Sequence, residues 1–368
     1  MKKSLFLLFA LSLVFALSPV RALSAPPREL HYTDAAAFPV HGQVLPETSG
    51  RYTRLPESMH GAVPEKLWNL GLNSAGLYFR FRSNSRTIAV RWENPSSSQY
   101  PKLTAGATRG LDLYGRIDGS WWHFGVALPK KGSCVSEHVF AKSLDGQMRE
   151  YILYLPLYGS VNKIEIGVEE GAVLENSDDP HPDRRKPIVI YGTSILQGAC
   201  ASRPGATATN ILSRRLDREV INLGFAGSAL LEPEMARWMA ACPHPSVFVL
   251  DNLPNGTPKL IEEQEENFFR ILRKAHPKVP VVFVEVPYYP GVRFDPGRKK
   301  TCESKNQALK KMFDGLVAKG ETRIYYVASD TMIGDDGEAT YDGIHFTDVG
   351  MVRYCDLLYP VLKEIIEK

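Results

Sequence analysis

The sequence is poor in the features that mark several large classes of protein. Its 368 residues include five cysteines, Cys134, Cys200, Cys242, Cys302 and Cys355. None forms a CxxC pair, and the histidines are not at zinc-ligand spacing, so a redox dithiol or a metal site has no positive support. The odd number leaves at least one thiol free or paired between chains, and buried thiols acting as small hydrophobes are the expectation. A basic excess is also lacking: Lys and Arg total 44 against 41 acids, and without Lys2, Lys3 and Arg21 the two are equal. A neutral chain without long basic runs has no electrostatic footprint for nucleic acid or anionic lipid. There is no internal repeat, no low-complexity tract and no later apolar run that could span a bilayer. With 44% hydrophobic and 23% charged residues, an enzyme or a binding protein remains.

Lys2 and Lys3 precede the apolar run from Leu5 to Leu17, and small residues follow at Ala22, Ser24 and Ala25. This pattern predicts a signal peptide over residues 1–24, hence an exported product, periplasmic or extracellular, with no membrane span in the mature chain. The length exceeds one typical domain, and the hydrophobic period divides the rest. From Gly76 to Glu170 the period is two: Leu77, Phe79 and Phe81, then Ile88, Val90 and Trp92, later Tyr151 to Leu157 and Ile164 to Val168. Short strands at close spacing predict an antiparallel, jelly-roll-like β-sandwich. The polar, proline-rich stretch 171–187 ends it, giving domains at 25–178 and 179–368. Beyond it, five continuous apolar runs begin at Ile188, Val220, Val247, Val281 and Ile324, with helical patterns between them. They predict a parallel five-stranded sheet covered on both faces. A helix opens at Thr257–Pro258 with Phe268, Ile271, Leu272 and Ala275 inward, and the last begins near Asp348, with Pro360 expected to bend or restart it.

In such a sheet, ligands bind beyond the carboxyl ends of the strands. The first strand runs into Gly192-Thr193-Ser194, a serine at a strand-to-helix turn. About 150 residues on, Asp342-Gly343-Ile344-His345 precedes the final helix. A serine hydroxyl needs a base to take its proton, and a carboxylate fixes the tautomer of an imidazole base. Taken separately, each segment also reads as ordinary helix capping.

Together these segments resemble the SGNH, or GDSL, hydrolase superfamily over residues 187–368. Asn222-Leu223-Gly224-Phe225-Ala226-Gly227 is similar to the family's second block, with Gly227 at the oxyanion glycine and Gly224 as the other candidate. Leu250 to Asn255 is similar to the third, with Asn255 at the oxyanion asparagine. Thr193 stands where the GDSL signature has Asp. The resemblance implies a three-layer α/β/α domain and a cofactor-free acyl transfer. Ser194 would be the nucleophile, His345 the base and Asp342 its partner, with the N–H groups of Ser194 and Gly227 and the Asn255 amide forming the oxyanion hole. Gly110-Leu111-Asp112-Leu113-Tyr114 resembles the GxDLY domain found before one branch of these esterases. On strands, Asp112 and Tyr114 share a face and are expected to hydrogen-bond each other. Trp121 and Trp122 face opposite sides, one toward the core and the other toward the second domain or a sugar. Arg80 and Arg82 read as a solvated face. The expected function is an exported esterase removing short acyl groups, acetyl first, from a glycan or another small ester. A lipase or thioesterase, and a noncatalytic glycan-binding protein on the same scaffold, are the alternatives.

Overall fold

The structure, a computed structural model, describes residues 29–177 and 186–368; the expected signal peptide and part of the expected interdomain stretch lie outside them. The period-two segments form antiparallel strands: β1 (Leu30–Asp34), β2 (Tyr78–Ser83), β3 (Ile88–Glu93), β4 (Leu111–Ile117), β5 (Ser120–Ala127), β6 (Val135–Ala141), β7 (Arg149–Tyr154), β8 (Lys163–Glu169) and β9 (Leu174–Asn176). They pair as β1-β8-β3-β6 and β5-β4-β7-β2-β9. Alternate residues, among them Phe79, Phe81, Val90, Trp92, Leu113, Leu153 and Ile166, interdigitate between the two sheets as one core. The polar stretch starts later than expected, because Leu174–Asn176 pairs with the edge of β2.

Three expectations for this half need correction. Neither tryptophan fills the sandwich core. Trp121 packs on the outer face against Tyr78, Tyr114, Ile152 and Tyr154, with the Arg80 and Arg116 guanidiniums 5.8 and 5.3 Å from its ring, while Trp122 is 62% exposed. The inner face there is already filled by Tyr151 and Phe124. Arg80 is not solvated but forms an ion pair with Glu150, whereas Arg82 pairs with Glu175 at the surface. Asp112 does not bond Tyr114; both face the second half of the chain, as shown below.

The continuous apolar runs form β10 (Ile188–Gly192), β11 (Val220–Gly224), β12 (Val247–Asp251), β13 (Val281–Val284) and β14 (Ile324–Val327), parallel throughout in the order β11-β10-β12-β13-β14. Both faces are buried. Val189, Tyr191, Leu223, Phe248 and Phe283 point to one core, and Ile188, Ile190, Val220, Val249 and Val282 to the other. After α1 (Glu65–Gly71) and α2 (Ala105–Arg109) of the first half, the described residues of this half form seven α-helices: α3 (Ser194–Gln197), α4 (Ala208–Leu216), α5 (Pro233–Ala240), α6 (Pro258–Leu260), α7 (Glu266–Ala275), α8 (Pro296–Ala318) and α9 (Asp348–Glu367). From the helices of this half, the first core takes side chains of α5, α7 and α8, and the second those of α3, α4 and α9.

Thr257 caps α6, accepting from Leu260 N–H, but a π-helical segment, Ile261–Glu265, joins it to α7. Within α7, Phe268, Phe269 and Leu272 are buried and Ile271 packs partly buried against the same core, while Ala275, the last residue of the helix, is exposed instead of facing inward. Pro360 does not restart α9. Leu358, Leu362 and Ile365 are buried on either side of it, and that packing outweighs one missing backbone hydrogen bond.

The two halves are welded together by residues before β2. Val44, Leu55, Met59, and the helix α1 (Glu65–Gly71) through Leu67 and Trp68, belong to the core of the parallel sheet, not of the sandwich. Arg54, buried, donates to the Asn222 and Gly224 carbonyls at the end of β11 and stacks 4.6 Å from the Phe225 ring. From β4, Asp112 accepts from Gly205 N–H at 2.7 Å and Arg203 Nη1 at 2.9 Å, and meets His123 Nε2 at 3.0 Å. Arg203 also donates to Tyr114 Oη. Only glycine fits at 205, since a Cβ would lie 2.4 Å from the Tyr114 ring.

Candidate active site

Gly192 ends β10, and the chain turns into α3 with Ser194 as its first residue. That position leaves the Ser194 N–H outside the helical ladder. The Ser194 hydroxyl meets His345 Nε2 at 3.0 Å, and His345 Nδ1 meets Asp342 Oδ2 at 2.9 Å. Asp342 is fixed by its own turn: its Oδ1 accepts from the N–H groups of Ile344 at 3.2 Å and His345 at 2.9 Å. Thr347 then caps α9 by accepting from Gly350 N–H. Burial raises the Asp342 pKa, but the hydrogen bonds from His345 and Ile344 outweigh it and hold the carboxyl below its ordinary value. A carboxylate on Nδ1 keeps the proton there, so Nε2 can accept the serine proton.

Between β11 and α5, Gly227 lines the same cleft as Ser194, Asn255 and His345. Gly224, the other candidate, has its N–H taken by Asn222 Oδ1 at 2.9 Å, and a Cβ there would lie 2.2 Å from Gln197 N. Its smallness serves helix-to-strand packing, and the cleft glycine is Gly227. The Asn255 amide is oriented by donation to Ser228 O at 2.6 Å. Gln197 ties this loop to α3, accepting from Ala226 N–H and donating to Leu157 O. Thr193 is buried, and its hydroxyl has no partner among the described residues. A carboxylate there would be buried likewise.

The cleft is about 880 Å³, and besides the motif residues its walls include side chains from parts of the chain that carry no site motif. Lys66, Leu70, Tyr100 and Tyr158 come from the first half; Tyr158 Oη donates to Ser194 O at 3.3 Å. Val286, Tyr289, Val292, Arg298 and Lys305 come from β13 through α8. Lys66 Nζ donates to Gly227 O and Lys305 Nζ to Pro254 O, both at 3.0 Å, so two ammonium groups flank the glycine and asparagine loops. Burial holds the Lys305 pKa below its ordinary value. No signal marked these residues, because a lone lysine or tyrosine between elements carries no spacing to read. All five cysteines are free, three of them buried. Among the described residues, no cluster of three or more His, Cys, Asp or Glu side chains is placed to hold a metal ion, and no helix is long and apolar enough to cross a membrane.

A serine opening the helix after the first parallel strand, a hydrogen-bonded histidine and aspartate, and a two-part fold define an SGNH-type hydrolase class. Comparison agrees: residues 185–363 match the GDSL-like lipase/acylhydrolase family, and residues 30–174 match the GxDLY N-terminus of SGNH-hydrolase-type esterases. A crystal structure from Bacteroides ovatus, assigned to the GDSL-like lipases, is 32% identical with a TM-score of 0.86, covering 92% of this chain and 98% of that one. The salicylyl-acyltransferase SsfX3 of a tetracycline biosynthetic pathway is 19% identical, with a TM-score of 0.68 and coverage of 91% and 96%. A family two carbohydrate esterase from Cellvibrio japonicus is 13% identical, with a TM-score of 0.58 and coverage of 92% and 98%, a likeness of fold. No match was found among curated proteins. The chain belongs to the GDSL-like, or SGNH, esterase family, and carries that family's GxDLY N-terminal domain.

Proposed function

We propose that this esterase is exported and removes short acyl groups, acetyl foremost, from saccharide esters through Ser194, His345 and Asp342. The observation that carries the reading is the unbroken chain from Ser194 Oγ through the imidazole to Asp342, 3.0 and 2.9 Å long, on the wall of a cleft. Ser194 Oγ bonds to the ester carbonyl carbon as its proton passes to His345 Nε2. The carbonyl oxygen becomes an oxyanion, held by the Ser194 and Gly227 N–H groups and the Asn255 amide. When the carbon–alkoxy bond breaks, the imidazolium returns the proton to the leaving alcohol. Water, deprotonated by His345, then attacks the acyl-enzyme and frees the acid and Ser194.

Short acyl groups are favoured because Lys66, Lys305 and the Arg298–Asp295 pair line the cleft, and charged walls oppose burial of a long alkyl chain. A saccharide alcohol is consistent with the carbohydrate esterases that share the two-part fold, and with export through residues 1–24. The apolar wall of Val286, Tyr289 and Val292 favours one other reading, a longer acyl chain as in a lipase. Hydrolysis of acetyl, butyryl and octanoyl p-nitrophenyl esters by the wild-type chain and Ser194→Ala tests both. Acetyl activity lost in the variant supports the proposal, octanoyl preference replaces it with the lipase reading, and equal activity in both chains removes Ser194 as nucleophile.

A further inference from the structure

Beside the catalytic cleft lies a second hollow of about 430 Å³, and Tyr100 and Tyr158 line both. Tyr158 Oη donates to the Ser194 backbone carbonyl, so the wall shared by the two hollows stands next to the serine. The two rings stand edge to face, 6.0 Å between centroids, and Tyr100 is half exposed. The rest of the lining comes wholly from the first half: Leu72 and Pro95 are apolar, Asn73, Asn94, Ser98, Gln99 and Arg109 supply amides, hydroxyls and a guanidinium, and no carboxylate is part of it. Aromatic faces beside amides and hydroxyls suit a polyhydroxylated ring.

Arg109 is the anomaly. It is 4% exposed, yet it forms no ion pair among the described residues. Its one side-chain hydrogen bond goes from Nη1 to Ser133 O, and its Nε has no partner. The neighbouring Asn94, 1% exposed, leaves its Oδ1 without a partner. Buried charges are ordinarily paired, and a buried guanidinium that lines a cavity without a carboxylate is short of an anion. The field around it has the same sign. Across both hollows the lining cations are Lys66, Arg109, Arg298 and Lys305, against the single carboxylate Asp295, which already faces Arg298.

We propose that this annex receives the alcohol half of the ester and that this half is an acidic saccharide, with its carboxylate read by Arg109. The inference rests on the esterase reading and names its substrate class. The sugar ring lies against Tyr100 and Tyr158, the acylated hydroxyl points to Ser194, and the deacylated acidic sugar leaves from the annex.

Two measurements test it. The first is the ratio of kcat/KM for acetate release from a mono-acetylated methyl glucuronoside over the matched methyl glucoside. The wild-type chain should favour the acidic sugar by about tenfold or more, the worth of one charge-assisted hydrogen bond. Arg109→Gln should bring the ratio to about one through KM, and Arg109→Lys should restore part of it; general damage would lower both rates and leave the ratio. The second is calorimetric binding of methyl glucuronoside and methyl glucoside to the Ser194→Ala chain, which needs no turnover and so separates failure of the subsite from failure of the esterase reading. Equal wild-type preference, or equal binding, overturns the proposal without any annex variant. A ratio abolished by the exposed Lys66→Ala but kept by Arg109→Gln would place the carboxylate at the cleft mouth and overturn the annex assignment.

Discussion

Replacing Asp112 by Ala removes a fully buried carboxylate that joins the two halves of the chain. Its Oδ2 accepts from Gly205 N–H and from Arg203, and its Oδ1 meets His123. The substitution leaves a buried N–H and a guanidinium, 23% exposed, without their acceptor. Breaking a buried pair by removing one partner costs about 3–5 kcal/mol, and partial exposure of Arg203 places this case near 3 kcal/mol. Asp112→Asn is gentler. Its oxygen can still face Gly205 and Arg203 while its NH2 meets His123 in the acceptor tautomer, so the loss is mainly of charge, on the order of 1–2 kcal/mol. His123→Ala, at a more exposed ring, should cost less than about 1 kcal/mol. Urea unfolding followed by tryptophan fluorescence should therefore order the midpoints as wild type, His123→Ala, Asp112→Asn, Asp112→Ala. An Asp112→Ala chain within about 1 kcal/mol of wild type would refute the view that this motif residue is the clamp between the halves.

Other outcomes follow from the site and the core. Asn255→Ala removes one of the proposed oxyanion donors and should lower kcat by about 10²–10³ with KM little changed, read from p-nitrophenyl acetate kinetics. Asp342→Asn keeps the turn but reverses the tautomer preference of His345, so kcat should fall on the order of 10³-fold or more, with the melting temperature nearly unaltered. Asp251, fully buried beside Tyr354, has its pKa pushed up to about 7 by burial. Between about pH 4, where the unfolded chain ionises, and about pH 7, the folded chain holds a proton that the unfolded one has lost, so this group makes stability fall as pH rises. Asp251→Asn should be more stable than wild type at pH 8 and lose that advantage at pH 5. Glu265, also raised to about 7 by burial, keeps its own contribution to the slope in both chains. A pH-independent difference in urea midpoints would contradict the assignment.

What the sequence could disclose was set by local pattern. Ile188 to Tyr191 and Val247 to Leu250 have no polar alternation because both faces of the sheet are covered, and they are strands where expected. Ser194 and the Asp342–His345 turn were legible because strand ends and helix starts constrain which residues can occupy them. The choice between Gly224 and Gly227 required the Asn222 side chain, which satisfies one N–H. Long-range pairings left no trace. Asp112 meets Gly205 and Arg203 some 90 residues on, Lys66 meets Gly227 across 161 residues, and the fate of Trp121 depends on Arg80 and Arg116 from other strands. Residues 44–68 lacked a clear period because they pack on the far sheet as loops and one short helix.

The central claim is that Ser194 is the nucleophile and His345 activates it. Intact-mass and peptide analysis after reaction with a fluorophosphonate tests this without a choice of ester. The account predicts one adduct, on Ser194, absent from Ser194→Ala and formed about 100-fold or more slowly in His345→Ala. An adduct on another residue, or an undiminished rate without His345, would contradict it.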